Sequence, residues 1–392
     1  MFLKVVILLF IITFGIEYYP LRTLFAARSR ATKSLYYTLS ALCVIPYLAL
    51  LLAAKWIENE SAALSAFSAT SLILFLTNFL WKFPLALVLL CGPKCQRWAR
   101  KMAFSLSLIV TLLIAYGALW ERHSLRTTHL TLHYDNLPEG ADGLKIVQIS
   151  DLHIGYSRAS HRLLERVRAE VMSHEAHLVV DCGDMVNAKY TELDSAAMAT
   201  LGRITAPLGV YTVLGNHDRG DYIADTLTLP RQEHRTLLIE RQQLMGWHNL
   251  TDSTAILPIG DDTLYLTAID YPASTKKGSH GATVTEDYTH HFDSLPTEGF
   301  NIVLAHTPTM WESILAATTA ELTLSGHVHA MQLRLPLGTR GWSPAAIVYK
   351  HWSGLYQKDG CRLFVSDGIG GGVPFRIGAR PQIVVITLKK NV

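Results

Sequence analysis

Charge is scarce in this chain, and concentrated positive charge is scarcer. Of 392 residues, 17% are Asp, Glu, Lys or Arg, and the formal net charge is +3. No basic cluster with interleaved aromatics occurs in the polar part of the chain, so the electrostatic footprint of a nucleic-acid binder is missing. Cysteine is sparse as well. Cys43, Cys91, Cys95, Cys182 and Cys361 make an odd set with no zinc-like spacing, which excludes a disulfide framework and a cysteine zinc site. Cys182 reads as a small buried hydrophobe. No internal repeat or low-complexity tract is present, so neither a solenoid nor a biased disordered tail is expected. The length calls for two or more folded regions.

What the chain has in excess is apolar residues, 49% of the total, and the excess lies almost entirely before residue 121. Four apolar runs read there: Val5–Tyr18, Tyr36–Ala54, Ala66–Leu90 and Met102–Trp120. Most are near or above the roughly 20 residues that span a bilayer. The first is short and carries Glu17; no small-residue cleavage site follows it, so it reads as a retained first helix. Lys82, between Trp81 and Phe83 and just before Pro84, is the awkward charge of the third run. It is expected to snorkel, or to mark a kink or end of that helix. The first connection holds Arg22, Arg28, Arg30 and Lys33, and the third Lys94, Arg97, Arg100 and Lys101. The second sets Lys55 against Glu58 and Glu60. The positive-inside rule then places the first and third loops in the cytoplasm and everything after Trp120 outside it. The expected organisation is a transmembrane helical region over 1–120, a linker with the first strand over 121–143, and a catalytic domain over 144–392.

Past the linker the texture changes. Short β-branched runs recur, each closed by polar residues: "LKIVQIS", "AHLVVDC", "GVYTVL", "TLYLTAI", "FNIVLA", "ELTLS", "CRLFVS" and "QIVVITL". Several are apolar on both faces, as strands between two covering layers must be. Between the first two lies "SHRLLERVRAEVMSHEA", with apolar residues at helical spacing. The pattern predicts an α/β layered domain. In such sheets ligands collect beyond the carboxyl ends of the strands. The residues there are Asp151 and His153 after the first strand, Asp184 after the second, and Asn216, His217 and Asp218 after the third. His306 follows "NIVLA", and His327 and His329 follow "ELTLS". Taken singly, Asp151 suits a helix N-cap and His153 or His306 a hydrogen-bonded structural histidine. Asp181, one position before Cys182, is expected to point away from the site. Five tips in chain order, each carrying a metal-ligand residue, form a stronger pattern than any one of them.

Mixed carboxylate and imidazole ligands suit borderline divalent ions such as Mn, Fe, Zn or Co. Seven ligands are too many for one tetrahedral site and fit two metals sharing a carboxylate. Two such ions, roughly 3.5–4 Å apart, can hold a hydroxide and clamp the attacking and leaving oxygens of an in-line displacement. Gly183, Gly215 and Gly326 each precede a ligand and are expected to let the chain turn sharply.

The order "DLH … GD … GNHD … H … GHVH" resembles the calcineurin-like metallophosphoesterase family across about residues 127 to 390. The stretch "GLYQKDGCRLFVSDGIGGGVPFRIGARPQIVVITL" further resembles its membrane-associated branch, which includes exported phosphoesterases and UDP-2,3-diacylglucosamine pyrophosphatases. The resemblance implies a layered metallophosphoesterase β-sandwich flanked by helices, after an all-α transmembrane region of about four helices. It implies that Asp151, His153 and His329 hold one metal, that Asn216, His306 and His327 hold the other, and that Asp184 bridges them. His217 would protonate the leaving oxygen, and Asp218 would orient His217. Two departures stand out: Asn187 where the family often has an acid, and Ala330 and Met331 where the branch commonly has glycines. In "GIGGGVPFR" the glycine backbone could approach a phosphate and Arg376 could pair with it.

The expected protein is therefore a membrane-anchored phosphoester hydrolase with two divalent ions, acting on a lipid-linked or membrane-proximal phosphodiester, with the bilayer and no nucleic acid as partners. A pyrophosphatase of a nucleotide-linked lipid precursor is the alternative within enzymes, although such precursors belong to the cytoplasmic face and the loop charges place the domain outside. A non-catalytic membrane receptor or scaffold is the alternative of another class, disfavoured by the complete ligand set. A transporter with an accessory phosphatase domain has less support still, since the membrane part shows no repeat and few charges.

Overall fold

The computed structural model describes residues 29–53, a few helical positions between 67 and 82, and residues 96–391 except 156–158, 221–222, 224–228, 272–298 and 339–340. The chain divides into two compact units, 1–122 with 373–377, and 123–372 with 378–392.

In the first unit, helix α1 spans Arg30–Ala53 and α2 spans Gln96–Leu119. Among the described residues, two stretches, Arg30–Leu50 and Phe104–His123, are long and apolar enough to cross a membrane. Their large side chains, among them Leu39, Leu42, Ile45, Phe104 and Leu112, are exposed. A core helix of a soluble protein would bury such a face. These helices overlap the second and fourth apolar runs. The run Val5–Tyr18 lies outside the described residues, and so does most of Ala66–Leu90. Lys82, which is described, does not snorkel. It is helical and fully buried, its ammonium donates to Ser40 Oγ, and it lies 4.8 Å from the centre of the Tyr36 ring.

The second unit is built on two six-stranded sheets. The first contains β1 (Arg126–Tyr134), β2 (Lys145–Ile149), β3 (Leu178–Asp181), β4 (Val210–Thr212), β5 (His248–Asn249) and β12 (Gln382–Lys390), in the order β1-β12-β2-β3-β4-β5. The second contains β6 (Ser253–Ile259), β7 (Asp262–Ile269), β8 (Phe300–Ala305), β9 (Leu322–Ser325), β10 (Gly354–Lys358) and β11 (Cys361–Val365), in the order β10-β11-β9-β8-β7-β6. The run β2-β3-β4 is parallel, and so is β7-β8-β9-β11. Their carboxyl ends therefore each form one edge.

Alternation along the strands makes three apolar layers. Ile146, Leu178 and Val180 from the first sheet meet Leu266, Ile302, Leu304 and Leu324 from the second in a core between the sheets. The opposite side chains of the first sheet, Val147, Ile149 and Val179, pack under α3 (Ala159–Ser173), α4 (Ser195–Leu201) and α5 (Arg231–Leu244), through Leu164, Val167, Leu201 and Leu238. Val303 and Ala305 of the second sheet pack under α6 (Trp311–Ala317) through Ile314. This is why so many strands are apolar on both faces: each lies between two covering layers. Local signals fix the helix ends. Asp194 caps α4 by accepting from Ala197 N at 2.8 Å, an ordinary N-cap contact. Two mixed sheets face each other with helices outside them, the layered α/β arrangement that the strand patterning predicts.

Candidate metal centre

The tips of β2, β3, β4, β8 and β9 converge on one place. Three overlapping groups of side chains bring their ligand atoms within 4.8 Å of one another: Asp151, His153 and His329; His153, Asp184 and His217; and Asp184, His306 and His327. Asp184 is common to two of them. Its Oδ2 lies 3.7 Å from His153 Nε2 and 3.2 Å from His306 Nε2. On one side His329 Nε2 is 3.2 Å from His153 Nε2 and 3.4 Å from Asp151 Oδ1. On the other, Asn216 Oδ1 is 3.0 Å from His306 Nε2 and 2.8 Å from His327 Nδ1. The geometry is two lobes joined at one carboxylate.

The lobes are knitted through the backbone. His327 N donates to Asp151 Oδ1 at 3.0 Å, and His217 N donates to Asp184 Oδ1 at 2.8 Å. His153 N donates to the Asp184 carbonyl oxygen at 3.0 Å, and Asp151 N to that of Gly183 at 2.8 Å. Five of the clustered residues, Asp151, His153, Asp184, His327 and His329, have positive φ between 44° and 70°. Non-glycine residues rarely adopt that region, and each such residue costs on the order of 1–3 kcal/mol. Such conformations persist only where the surrounding structure over-determines them.

The glycines before the ligands act differently from one another. Gly183 does turn, with φ +90°. Gly215 and Gly326 are needed for close approach instead. A Cβ at Gly215 would lie 2.1 Å from Asp184 Oδ1, and one at Gly326 would lie 1.9 Å from Ser150 Oγ and 2.3 Å from Asp151 Oδ2. The later glycine loop serves the same end. Gly368 and Gly370 press on Asp151, Leu152, His153 and His329, and Gly370 N donates to the Asp151 carbonyl oxygen at 2.6 Å.

The donor chemistry fits a cation. His306 Nδ1 points at the Cys182 carbonyl oxygen at 2.7 Å, which fixes the ring proton there. The Nε2 lone pair of the neutral ring then faces Asn216 Oδ1 and Asp184 Oδ2, three acceptors with no hydrogen among them. Electrostatics point the same way. Burial, with the charge of Asp184, pushes Asp151 up to about 6. Burial opposes ionisation of Asp184, yet His306, His217 and His153 hold its carboxyl well below the usual range. Burial alone would lower His306, but Asp184, Asp151 and the Cys182 carbonyl raise it to about 10. These buried carboxylates demand positive charge. Protonated imidazole supplies it in one state; a bound divalent ion would supply it in another, with the imidazoles neutral as ligands must be.

One expectation needs correction. Asp218 does not hold the His217 ring. Its carboxylate, fully buried, accepts backbone N–H groups from Met185 (3.2 Å), Val186 (3.0 Å) and Gly215 (3.0 Å), so it ties the β3 loop to the β4 loop. The His217 ring instead meets the Asn187 carbonyl oxygen through Nδ1, and Glu192 Oε2 fixes that loop by accepting from Asn187 N and Ala188 N. Arg376 lies in the first unit and is buried, and its backbone N donates to the Gly117 carbonyl oxygen. Asp181 is fully buried and accepts from Thr212 Oγ1 at 3.0 Å.

The sequence reading also overlooked residues. Asp270 follows β7 and Asp367 follows β11, in the same strand-then-carboxylate pattern that flagged the metal residues. Both take arginines. Asp270 pairs with Arg219 and Arg235, and Asp367 pairs with Arg126 and Arg334. Tyr271 stacks beside His306 and His327, with ring centres 5.8 and 5.7 Å away.

Comparisons with known proteins agree with this geometry. The family described as "Calcineurin-like phosphoesterase" matches residues 144–331. The "Uncharacterized metallophosphoesterase YkuE" of Bacillus subtilis is 30% identical over 293 residues, covering 70% of this chain and 90% of that one. The "Transmembrane protein with metallophosphoesterase domain" of Danio rerio is 30% identical over 291 residues, covering 73% of this chain and 62% of its own. "UDP-2,3-diacylglucosamine pyrophosphatase LpxG" of Chlamydia muridarum is 24% identical over 282 residues, covering 62% of this chain and 83% of that protein. The chain belongs to the calcineurin-like phosphoesterase family and is a hydrolase acting on phosphoester bonds.

Proposed function

We propose that the protein is a membrane-anchored, two-metal hydrolase of a lipid-linked or membrane-proximal phosphodiester, its catalytic domain outside the cytoplasm. The observation that carries this reading is the pair of lobes joined at Asp184. Asp151, His153 and His329 would hold one ion, Asn216, His306 and His327 the other, with Asp184 shared. Two bound divalent ions supply Lewis acidity, which makes water a nucleophile near neutral pH and offsets the charge of the phosphoryl oxygens. The chain's own residues do the rest. His217 donates its Nδ1 proton to the Asn187 carbonyl oxygen, so Nε2 is the atom left to carry a proton to the leaving oxygen. Because the Asn187 backbone makes this contact, an asparagine side chain there is compatible with it. Asp218 keeps the two loops in register, and Gly215 and Gly326 let the ligand carboxylates approach.

Support for the membrane part comes from the two apolar helices and from relatives named as transmembrane. A pyrophosphatase reading has one specific support, the likeness to LpxG. The full chain in detergent with Mn²⁺, assayed on a diester, a monoester and a lipid pyrophosphate, separates the readings. The diester should be the best substrate. We expect His217→Ala to lower kcat by about 10²–10⁴-fold. Full diester activity in that variant would refute the role given to His217, and a preference for the pyrophosphate would favour the alternative.

A further inference from the structure

We propose that Glu192 is a positioning residue for His217, acting through the peptide group that joins Asn187 to Ala188. This deepens the proposed function and rests on its role for His217 as proton donor to the leaving oxygen. One peptide is held at both ends. Its carbonyl oxygen, that of Asn187, accepts from His217 Nδ1, and its N–H, that of Ala188, donates to Glu192 Oε2 at 2.8 Å. A trans peptide is planar, with N–H and C=O opposed, so a bond that fixes the direction of one fixes the other. Hydrogen bonds in line through a peptide also polarise one another, and a carboxylate is the stronger kind of acceptor. The same Oε2 accepts from Asn187 N at 2.7 Å, an N–H that also meets the Ile154 carbonyl oxygen at 3.2 Å.

The carboxylate itself stands on a fixed base. Glu192 closes a short 3₁₀ turn, Tyr190–Glu192, and its N donates to the Lys189 carbonyl oxygen at 3.0 Å. The turn is tied to α5. Arg241 Nη1 donates to the Leu193 carbonyl oxygen at 2.6 Å, and its guanidinium carbon lies 4.8 Å from the centre of the Tyr190 ring. Leu193 is fully buried in the core under α3, α4 and α5. The stem of Glu192 lies against Gly155, which has φ +109°. A Cβ there would come within 2.6 Å of both Cγ and Cδ of Glu192, so the space of a side chain at 155 is given to the glutamate.

Other contacts of His217 do a different task. Its backbone N donates to Asp184 Oδ1 at 2.8 Å, and its ring meets that of His153 edge-on with centres 4.6 Å apart. These place the residue beside the cluster. The bond at Nδ1 decides which edge of the ring is turned outward, and hence that Nε2 is the atom presented. Asn187 carries no carboxylate of its own, and Glu192 reaches the imidazole through the backbone instead.

The test uses the full chain in detergent with Mn²⁺ and two soluble diesters that differ in the leaving group, methyl p-nitrophenyl phosphate and methyl phenyl phosphate. The p-nitrophenolate departs readily without a proton, and the phenolate needs one more. The ratio of the two kcat values in one sample does not depend on how much of the chain is folded. His217→Ala should raise the p-nitrophenyl to phenyl ratio about 10²-fold, and Glu192→Ala at least about 10-fold with KM within about two-fold of the parent. Glu192→Gln keeps an oxygen able to accept from both N–H groups and should return the ratio to within about three-fold of the parent. Adding Glu192→Ala to His217→Ala should move the ratio no further, because the two act in series. Equal loss on both esters in Glu192→Ala, or an undiminished further change in the double variant, overturns the proposal. A ratio moved by His217→Ala and unmoved by Glu192→Ala overturns it alone, whereas a ratio unmoved by His217→Ala removes the acid role and the proposal with it. Imidazole ¹⁵N–¹H spectra of the Zn²⁺-loaded full chain give a readout without turnover. The resonances absent from His217→Ala belong to His217. Its Nδ1 proton should lie downfield and exchange slowly in the parent and in Glu192→Gln, and lose both properties in Glu192→Ala. An Nδ1 proton unchanged by Glu192→Ala overturns the proposal, whichever esters the chain cleaves.

Discussion

At the residue scale, the side chains that the fold gathers at the strand tips were legible because chemistry there is written in residue type: carboxylate, amide and imidazole in positions where ordinary turns carry glycine and asparagine. Partners were not legible. Asp218 stands next to His217 in sequence, yet the backbone turns it under three N–H groups that only the folded loops bring together. Asp270 and Asp367 obey the same tip pattern as Asp184 and face arginines, because which strand lies opposite is a property of the sheet order. Ala330 illustrates the same limit. It adopts φ 49°, and its methyl packs in a buried cluster, so packing offsets a strain that the sequence alone does not show. The revised role of Asp218 has a distinct signature. Asp218→Asn cannot satisfy all three N–H groups, so we expect a loss of about 1–3 kcal/mol in stability, read by denaturant unfolding. The pH dependence of kcat should stay in place. A displaced pH profile with unchanged stability would restore the orienting role.

At the scale of elements, the strands were legible from two-faced apolar runs, and the helices over the first sheet from their periodicity. Two features were not. The linker strand β1 pairs in parallel with β12, from Arg126 opposite Gln382 to Tyr134 opposite Lys390, a contact that no local pattern signals. The glycine loop after β11 reads as a phosphate cradle but packs against the metal loops. Helix α5 offers a test of pH dependence. Its His234 is fully buried, and burial lowers the imidazole from 6.5 to about 4. The unfolded chain therefore binds this proton more readily than the folded one. Its contribution to stability is complete above about pH 6.5 and is lost progressively as pH falls toward 4. A His234→Leu variant should lose less stability over that window than the parent, measured as Tm against pH. Parallel Tm curves for the two would show that this histidine does not titrate on unfolding.

At the scale of the whole molecule, composition separates an apolar first part from a second part that folds as layered sheets and helices. The orientation proposed for it rests on loop charges alone. Reporter fusions at residue 392 should report an extracytoplasmic C-terminus, and a cytoplasmic signal would reverse the topology. The central claim is that Asp184 joins two ion sites into one hydrolytic centre. The most direct measurement is metal content against activity on the full chain, titrated with Mn²⁺ from the chelator-treated state, for the parent and for Asp184→Asn. The account predicts two tightly held ions per parent chain, with diester hydrolysis rising as the second binds. The variant should hold fewer ions and lose activity by on the order of 10³-fold. Two ions and near-normal hydrolysis in Asp184→Asn, or full activity of the parent with one ion, would contradict it.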